Sequence, residues 1–198
     1  MSVIEKSSDN MLHASELSFD NFKKIVVDDY RVAYESRQVS ILGRKEVLTG
    51  KAKFGIFGDG KEVAQLAMAK NFKQGDWRSG YYRDQTFMFA AEMLTITEFF
   101  AQLYANTDVQ ADPSSAGRQM NAHFASRSLN GDGSWKNLTQ IKNCASDISP
   151  TGGQMARLVG LGLASKIYRD NPELEYLKNF SVNGNEVAFG TIGNASTA

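Results

Sequence analysis

An amphipathic repeat that begins at Thr95 is the clearest pattern of apolar and polar positions in the chain. Apolar residues recur there at the i, i+3, i+4, i+7 and i+8 spacing of one helix face. These residues are Ile96, Phe99, Phe100, Leu103 and Tyr104. Thr95 and Glu98 have the spacing of a capping box, which predicts that the helix begins at this threonine.

Apolar stripes predict further helices along the chain. Asp20 is placed to cap a helix whose stripe is formed by Phe22, Ile25, Val26 and Tyr30. Helical patterns continue in four more segments, residues 31–48, 62–72, 81–93 and 154–169. In the last of these, Gly160 and Ala164 lie four positions apart on one face, which favours the close approach of another helix.

The last apolar run, residues 186–192, predicts a buried strand that leads into the small-residue bend Gly193-Asn194-Ala195. In open α/β sheets, ligands bind beyond the carboxyl ends of the strands, and small residues let backbone amides approach a diphosphate. The same composition also occurs in ordinary connecting loops that bind no ligand. Because such a strand normally continues into a helix, we expect the chain to be the N-terminal part of a longer fold. Val187, Phe189 and Ile192 are then left uncovered.

Two segments lack the periodicity of helix or strand. Residues 107–152 show almost none, and so long a stretch in a compact domain is usually functional, although an ordinary surface insertion has the same pattern. Residues 1–19 are polar and mixed, which predicts a flexible N-terminal arm. We therefore expect one incomplete domain of the α/β class over residues 20–198.

Composition and charge exclude several classes of function. The 198 residues carry 22 Lys plus Arg and 22 Asp plus Glu, so the chain lacks the basic surplus of a nucleic-acid binder. No apolar run approaches the roughly 20 residues that span a bilayer, so we expect no membrane segment. The single cysteine, Cys144, excludes an internal disulfide framework and favours a reducing compartment, which predicts a cytoplasmic protein. Two histidines are too few for a histidine cage, so any metal site uses oxygen ligands, which favours magnesium or calcium.

The run Tyr81-Tyr82-Arg83 is the first candidate for chemistry. It supplies two phenols and a cation just before a predicted helix. The fork of an arginine side chain matches two phosphate oxygens, which favours an anion site. The alternative is an arginine paired with Asp84 or Asp76 beside two core tyrosines.

His123, in the aperiodic segment, is the second candidate. It could move a proton near neutral pH, which makes it a candidate catalytic residue, whereas a lone loop histidine is often a plain surface residue. Cys144 has no histidine near it in sequence, so we assign it a structural role. Ser149 and Thr151 lack the glycine frame of a hydrolase elbow, which argues against a serine nucleophile.

Four sequence blocks follow one another in a fixed order: GDWRSGYYRDQTFMFA, DPSSAGRQMNAHF, ISPTGGQMARLVGLGLASK and VAFGTIGNASTA. Together they resemble the α-type half of the thiamine-diphosphate-dependent 2-oxo acid dehydrogenases, and among these the branched-chain (2-oxoisovalerate) enzymes. The resemblance runs from about Tyr30 to the last residue. It implies a thiamine-diphosphate-binding α/β fold with a parallel sheet flanked by helices, a helix-rich N-terminal region and a truncated C-terminus.

The resemblance also assigns residues to the cofactor. Tyr82 and Arg83 match the tyrosine and arginine that hold the diphosphate, and Tyr81 stands beside them as a further cofactor-binding residue. Ser149 and Thr151 align with loop positions that touch the aminopyrimidine ring. The diphosphate end of the cofactor is thus expected between two segments that are far apart in sequence.

Thiamine enzymes carry a Gly-Asp-Gly signature whose aspartate binds the magnesium that bridges the diphosphate. The aligned residues here are Gly193, Asn194 and Ala195, so the resemblance implies that Asn194 binds the metal in place of a carboxylate. Because an amide oxygen adds no negative charge, we expect magnesium and thiamine diphosphate to bind this fragment weakly or not at all. Literal Gly-Asp-Gly strings occur at residues 58–60 and 131–133. Because neither follows a predicted strand, we expect both to be turns.

The function that the resemblance implies is oxidative decarboxylation of a branched-chain 2-oxo acid, with transfer of the acyl group to lipoamide. The implied partners are a β-type half, which supplies the activating glutamate, and a lipoyl-bearing acyltransferase, in an oligomer. Because that glutamate and part of the metal site are absent, we expect the 198-residue chain alone to be inactive. The alternatives are a non-catalytic domain for subunit association and a generic nucleotide-binding domain, which would need a Gly-x-Gly-x-x-Gly string after the strand.

Overall fold

One long helix opens the fold. The computed structural model describes residues 18–193 and 196–197, and helix α1 occupies Phe19–Leu48. Ser18 caps it by accepting a backbone N–H with its side chain, so the prediction that Asp20 is the cap is wrong. Asp20 lies in the first turn, where a negative charge stabilises the positive end of the helix. Residues 1–17 of the predicted arm lie outside the described part, and Ser18 and Phe19 belong to the helix.

A parallel sheet of three short strands forms the centre of the fold. Strand β1 (Trp77–Ser79) lies between β2 (Asn143–Cys144) and β3 (Ala188–Gly190). All pairings are parallel, which confirms the predicted α/β class. Strand β3 is shorter than the predicted residues 186–192 and half-buried instead of buried, because it lies at the edge of the described sheet.

Among the described residues, four further α-helices follow α1. They are α2 (Glu62–Ala69), α3 (Gln85–Ala90), α4 (Ile96–Leu103) and α5 (Gly153–Asp170). Helix α4 has the predicted capping box, in which Thr95 and Glu98 satisfy each other's backbone N–H groups. Helix α3 is shorter than predicted because residues 81–84 form a turn after β1. The aperiodic segment 107–152 holds only β2 and a 3-10 helix at Leu138–Gln140.

An aromatic core joins the helices to the sheet. Phe87 of α3 and Phe99 of α4 are fully buried. Phe189 of β3 lies edge-on to Phe72 and to Phe87, with ring centroids 5.3 Å apart in both pairs. Burial of one such side chain contributes about 1.5–3 kcal/mol. The core therefore holds β3 through Phe189, while its neighbour Val187 is 58% exposed, as expected.

Two apolar stripes that periodicity predicts lie largely on the surface. Phe22 on α1 is 50% exposed and Val159 on α5 is 72% exposed. No atom of the described residues lies within 4 Å of the position that a β-carbon on Gly160 would occupy, so the expected close helix approach is not made there. Despite these apolar faces, none of the helices in the described part combines the length and hydropathy needed to cross a bilayer.

Candidate functional site

The carboxyl ends of the three strands meet at one edge of the sheet, and the predicted cofactor residues follow them. The Tyr81–Arg83 loop comes after β1, Ser149 follows β2, and Gly193 follows β3. This is the edge at which open α/β sheets bind ligands. The fold thus gathers three groups of residues that are widely separated in the sequence.

Tyr81 connects the β1 and β3 ends. Its hydroxyl donates a hydrogen bond to the Tyr82 hydroxyl oxygen at 3.1 Å. The same hydroxyl lies 2.7 Å from the position that a β-carbon on Gly193 would occupy, so this close approach requires glycine. Burial, followed by the hydrogen bond with Tyr82, raises the pKa of Tyr81. Because Tyr81 is the donor in this hydrogen bond, the hydroxyl proton of Tyr82 remains available for another acceptor.

Arg83 presents an exposed cation beside these phenols. Its guanidinium carbon lies 5.9 Å from the centre of the Tyr82 ring. Within residues 18–193 and 196–197, no carboxylate forms an ion pair with it. The alternative pairing with Asp84 or Asp76 is wrong, because Asp84 pairs with Arg78 at 2.8 Å and Asp76 accepts backbone N–H groups. Arg83 is therefore free to bind an anion.

His123 is buried, with 2% of its surface exposed, so its reading as a plain surface residue is wrong. Its Nδ1 lies 3.2 Å from the backbone carbonyl oxygen of Asn121. Because that oxygen can only accept, Nδ1 carries the proton, and Nε2 accepts from the Ser149 hydroxyl at 3.0 Å. The imidazole also stacks on Tyr82, with ring centroids 6.0 Å apart and planes 18° apart. His123 thus connects the β1 and β2 ends.

The backbone that carries His123 is strained. Ala122 is fully buried and has a φ of 62°, a conformation that costs free energy in a residue with a side chain. The neighbouring Asn121 side chain holds this segment by bonding both the N–H and the carbonyl of Ile56, at 2.9 and 3.0 Å. Strained backbone of this kind is typical of functional sites.

Beneath the site lies a buried group of charges that sequence reasoning missed, called here the Arg78 cluster: Arg78, Asp84 and Asp147. Arg78 has no exposed surface; its Nη2 lies 2.8 Å from Asp84 and its Nη1 lies 3.1 Å from Asp147. A β-carbon on Gly80 would lie 1.8 Å from the guanidinium carbon, so the cluster requires glycine there. Each of these charged residues alone is typical of a solvated surface, and β1 is too short to show a strand pattern, so no sequence signal predicts the cluster.

The environment of the cluster determines its charge states. Burial lowers the pKa of Arg78, but Cys144, Asp147 and Asp84 raise it by more, so the guanidinium stays charged. Burial raises the pKa of Asp147, and Arg78 partly opposes this rise. The thiol of Cys144 lies 2.9 Å from Arg78 Nη1, and burial raises the pKa of Cys144 to about 12. Cys144 is therefore a neutral buried thiol, in agreement with the structural role assigned to it.

The start of α5 is tied to the strand ends. The buried side chain of Gln154 donates from Nε2 to the carbonyl oxygen of Thr191 at 2.8 Å. The backbone carbonyl oxygen of Gln154 accepts from the hydroxyl of Ser79, at 2.9 Å. Thr151 lies exposed in the turn before the helix, next to Gly152 with its φ of 76°. These bonds fix the loop between β2 and α5 relative to β1 and β3.

The two Gly-Asp-Gly strings are turns, as predicted. The first packs beneath the site, because a β-carbon on Gly58 would lie 2.2 Å from the carbonyl oxygen of Arg83. Asn194 and Ala195 lie outside the described residues, so the assignment of Asn194 to magnesium stays a prediction. In the described part of the chain, no group of three or more His, Cys, Asp or Glu side chains is arranged to hold a metal ion.

Comparison with known proteins identifies one family. A family model described as the dehydrogenase E1 component matches residues 31–198. This range covers every element described above except the first part of α1. No curated protein matches the chain in a sequence comparison.

Proposed function

The chain belongs to the dehydrogenase E1 component family, and on this premise we propose that it binds the diphosphate end of thiamine diphosphate where β1 and β3 end. The family comprises thiamine-diphosphate-dependent components of 2-oxo acid dehydrogenases. When bound, this cofactor supplies the electron sink for the loss of carbon dioxide from a 2-oxo acid.

The unpaired guanidinium of Arg83 is the observation that carries this proposal. A cation that is exposed, lacks a carboxylate partner in the described chain and follows a strand of a parallel sheet fits a multiply charged anion. The residues around it also fit: the Tyr82 hydroxyl has a proton to donate, and Gly193, which has no side chain, lies against the Tyr81 hydroxyl. We therefore assign Arg83, Tyr82 and Gly193 to the diphosphate, with Tyr81 as the residue that orients Tyr82.

The other predicted residues suit the remaining parts of the cofactor. We propose that Ser149 and Thr151, which follow β2, contact the aminopyrimidine ring. His123, whose Nε2 accepts from Ser149, is our candidate for proton transfer at that side of the site. From the resemblance we also propose that Asn194 and Ala195 bind the cofactor, with the amide oxygen of Asn194 as a magnesium ligand.

The finer identity of the enzyme is also a proposal. The four sequence blocks support the α-type half of a branched-chain 2-oxo acid dehydrogenase that passes its acyl group to lipoamide. Its activity then depends on a β-type half, which supplies the activating glutamate, and on a lipoyl-bearing acyltransferase. We expect the chain to be inactive without that β-type half. A cytoplasmic location stays a prediction that depends on the single cysteine.

Calorimetric titration of the chain with thiamine diphosphate and magnesium chloride tests the proposed binding. Replacement of one charged hydrogen-bond donor costs about 1.5–3 kcal/mol, so Arg83→Ala should lower the affinity by about 10- to 100-fold. Arg127→Ala is the matched control, because Arg127 is exposed and lines a groove with Gln74 and Lys142 at the opposite ends of the strands. It should bind like the wild-type chain.

Two outcomes would overturn the proposal. If the folded wild-type chain gives no heat with the cofactor and magnesium, the diphosphate site is wrong and the alternative of a non-catalytic association domain gains support. An equal loss of affinity in the Arg83 and Arg127 variants would indicate binding by general charge attraction and not by a specific site.

A further inference from the structure

The Arg78 cluster joins all three strand ends through buried hydrogen bonds. Arg78 itself lies on β1, and Asp147 follows β2. The carboxylate of Asp84 accepts the hydroxyl of Thr191, which follows β3. The carboxylate of Asp147 accepts the backbone N–H of Phe124 at 3.1 Å. One guanidinium therefore fixes the positions of three loops that share no secondary structure.

Every predicted cofactor residue on these loops lies close in sequence to one of the anchored groups. Arg83 directly precedes Asp84, and Gly193 comes two residues after Thr191. Both backbone polar groups of Tyr81 are held by the cluster: its N–H bonds Asp84 at 3.0 Å and its carbonyl accepts from Arg78 at 3.0 Å.

The β2 side of the site has the same arrangement. Ser149 comes two residues after Asp147, and His123 directly precedes Phe124. The backbone N–H of Asp147 also bonds the carbonyl of Phe124, at 2.9 Å, so the two loops are held together twice. A shift of Asp147 would therefore move Ser149 and His123 together.

We propose that the Arg78 cluster is a positioning device, which holds the Tyr81–Arg83 loop and the Thr191–Gly193 bend at the separation that one diphosphate spans. This inference rests on the proposed function. The cluster touches no ligand itself, because Arg78 is fully buried and Asp84 and Asp147 are nearly so. Buried ion pairs add little stability over apolar side chains of the same volume, so stability alone is a weak reason for three charges in this core. Because the loops are already fixed before the anion binds, binding causes a smaller loss of conformational entropy.

The mildest test removes one hydrogen bond between the cluster and β3. Thr191→Val keeps the shape of a half-buried side chain and deletes only the hydroxyl that bonds Asp84. We expect its affinity for inorganic pyrophosphate and for thiamine diphosphate to fall about five- to tenfold, less than for loss of Arg83, because Thr191 acts only through the position of the loop. Thr191→Ser restores the hydroxyl and should return the affinity to within about twofold of the wild type.

A matched variant separates positioning from a general loss of stability. Thr139 donates its hydroxyl to Asn137 at 2.6 Å, in the segment that leads into β2 at the amino end of that strand, opposite the site. Thr139→Val deletes a threonine hydroxyl bond outside the cluster, so its melting temperature reports a loss of stability with the cluster intact. Its affinity for pyrophosphate should stay at the wild-type value.

Hydrogen exchange gives a readout that needs no ligand. In Thr191→Val the backbone N–H of Tyr81, which bonds the same carboxylate, should exchange about tenfold faster than in the wild type, whereas Thr139→Val should leave it unchanged. If Thr191→Val does not fold, Thr191→Ala, which also deletes the hydroxyl and places no added methyl group beside Asp84, replaces it in both measurements.

The outcomes distinguish this inference from the proposed function. If the wild-type chain binds neither pyrophosphate nor thiamine diphosphate, the proposed function fails, and the role of the cluster in holding the loops is decided by the exchange of Tyr81. If the wild type binds and Thr191→Val binds equally well, with unchanged exchange, the positioning role is overturned. An equal loss of affinity in Thr139→Val would also overturn it.

Discussion

The hydroxyl of Tyr81 faces Gly193, only 2.7 Å from the place that a β-carbon on the glycine would occupy. The two residues follow different strands of the sheet, β1 and β3, and lie far apart in sequence. Their contact closes the gap between the ends of β1 and β3, where the proposed diphosphate site lies. Several measurable consequences depend on this and on related contacts.

Replacement of Gly193 by alanine should weaken binding. The added methyl group displaces the Tyr81 hydroxyl, and with it the hydrogen bond that orients Tyr82. We expect a loss of about tenfold in affinity for thiamine diphosphate, or about 1.4 kcal/mol, measured by calorimetry. Gly131→Ala is the control, because no described residue other than its two chain neighbours has an atom within 4 Å of the place of its β-carbon. Equal affinity of the Gly193 variant and the wild type would contradict the assigned site.

His123 should be found as the tautomer with the proton on Nδ1. The carbonyl oxygen of Asn121 at Nδ1 demands a donor, which leaves Nε2 as the acceptor for Ser149. Nitrogen-15 NMR of the imidazole above pH 8 measures this directly. Ser149→Ala should leave the tautomer unchanged and shift only the Nε2 resonance, because the bond to Asn121 remains. A dominant Nε2–H tautomer would refute the orientation described for this pair.

Cys144 should be inert to thiol reagents in the folded chain. Its folded pKa of about 12 keeps the thiolate fraction negligible at pH 8, and the side chain is buried. A chromogenic disulfide reagent should react with the chain only after it unfolds in urea. Rapid labelling in native buffer would contradict the burial of Cys144 beside the Arg78 cluster.

Because the pKa of the Cys144 thiol is raised, the free energy of unfolding should fall at alkaline pH. In the unfolded chain a cysteine ionises near pH 8.5, whereas the folded chain keeps the proton to about pH 12. The stabilising contribution is therefore complete below about pH 8.5 and declines as the pH rises toward 12, by about 2 kcal/mol at pH 10. Urea unfolding at pH 8 and pH 10 measures it, with Cys144→Ala as the reference. The wild type should lose more stability between the two values than the variant.

The ion pair between α1 and α2 should make the free energy of unfolding fall at acidic pH. Arg37 binds Glu62 with two hydrogen bonds, at 2.7 and 3.0 Å, and this pairing lowers the pKa of Glu62. A lowered carboxyl pKa stabilises the fold above the unfolded value near 4.3, and the contribution is lost as the pH falls through the folded pKa.

Glu62→Gln should accordingly remove part of the acid dependence. Because Arg37 is half exposed, solvent screening limits the effect to about 0.5–1 kcal/mol. Urea unfolding at pH 7 and pH 3 should show a smaller difference in the variant than in the wild type. Glu175→Gln, at an exposed side chain that forms no ion pair in the described chain, should retain the wild-type difference.

Local signals in the sequence predict the helices well. The capping box at Thr95 and Glu98 lies within one turn, so both partners are visible in a short window. The stripe on α1 predicts the helix but not its surroundings, because periodicity gives the face and not the partner that covers it. The strands β1 and β2, of three and two residues, are too short for any alternation to appear.

The residues of the candidate site also differ in how well the sequence predicts them. Tyr82 and Arg83 could be selected from a short motif, and they lie at the carboxyl end of β1, the edge at which open α/β sheets bind ligands. The Arg78 cluster could not be selected, because Asp84 and Asp147 come from distant segments and only the parallel pairing of β1 with β2 brings them together. His123 lies between these two cases. The sequence identifies it as a residue that can transfer a proton, but it does not predict its burial against Tyr82.

One guanidinium shared by three loops also constrains how the chain can diverge. Loss of Arg78 alone would leave the buried carboxylates of Asp84 and Asp147 without a cation, at a cost of about 3–5 kcal/mol, whereas exchange of all three members for apolar residues is often neutral. Single substitutions at Arg78, Asp84 or Asp147 should therefore be purged, and the trio should be inherited or replaced as one unit among descendants of this sequence.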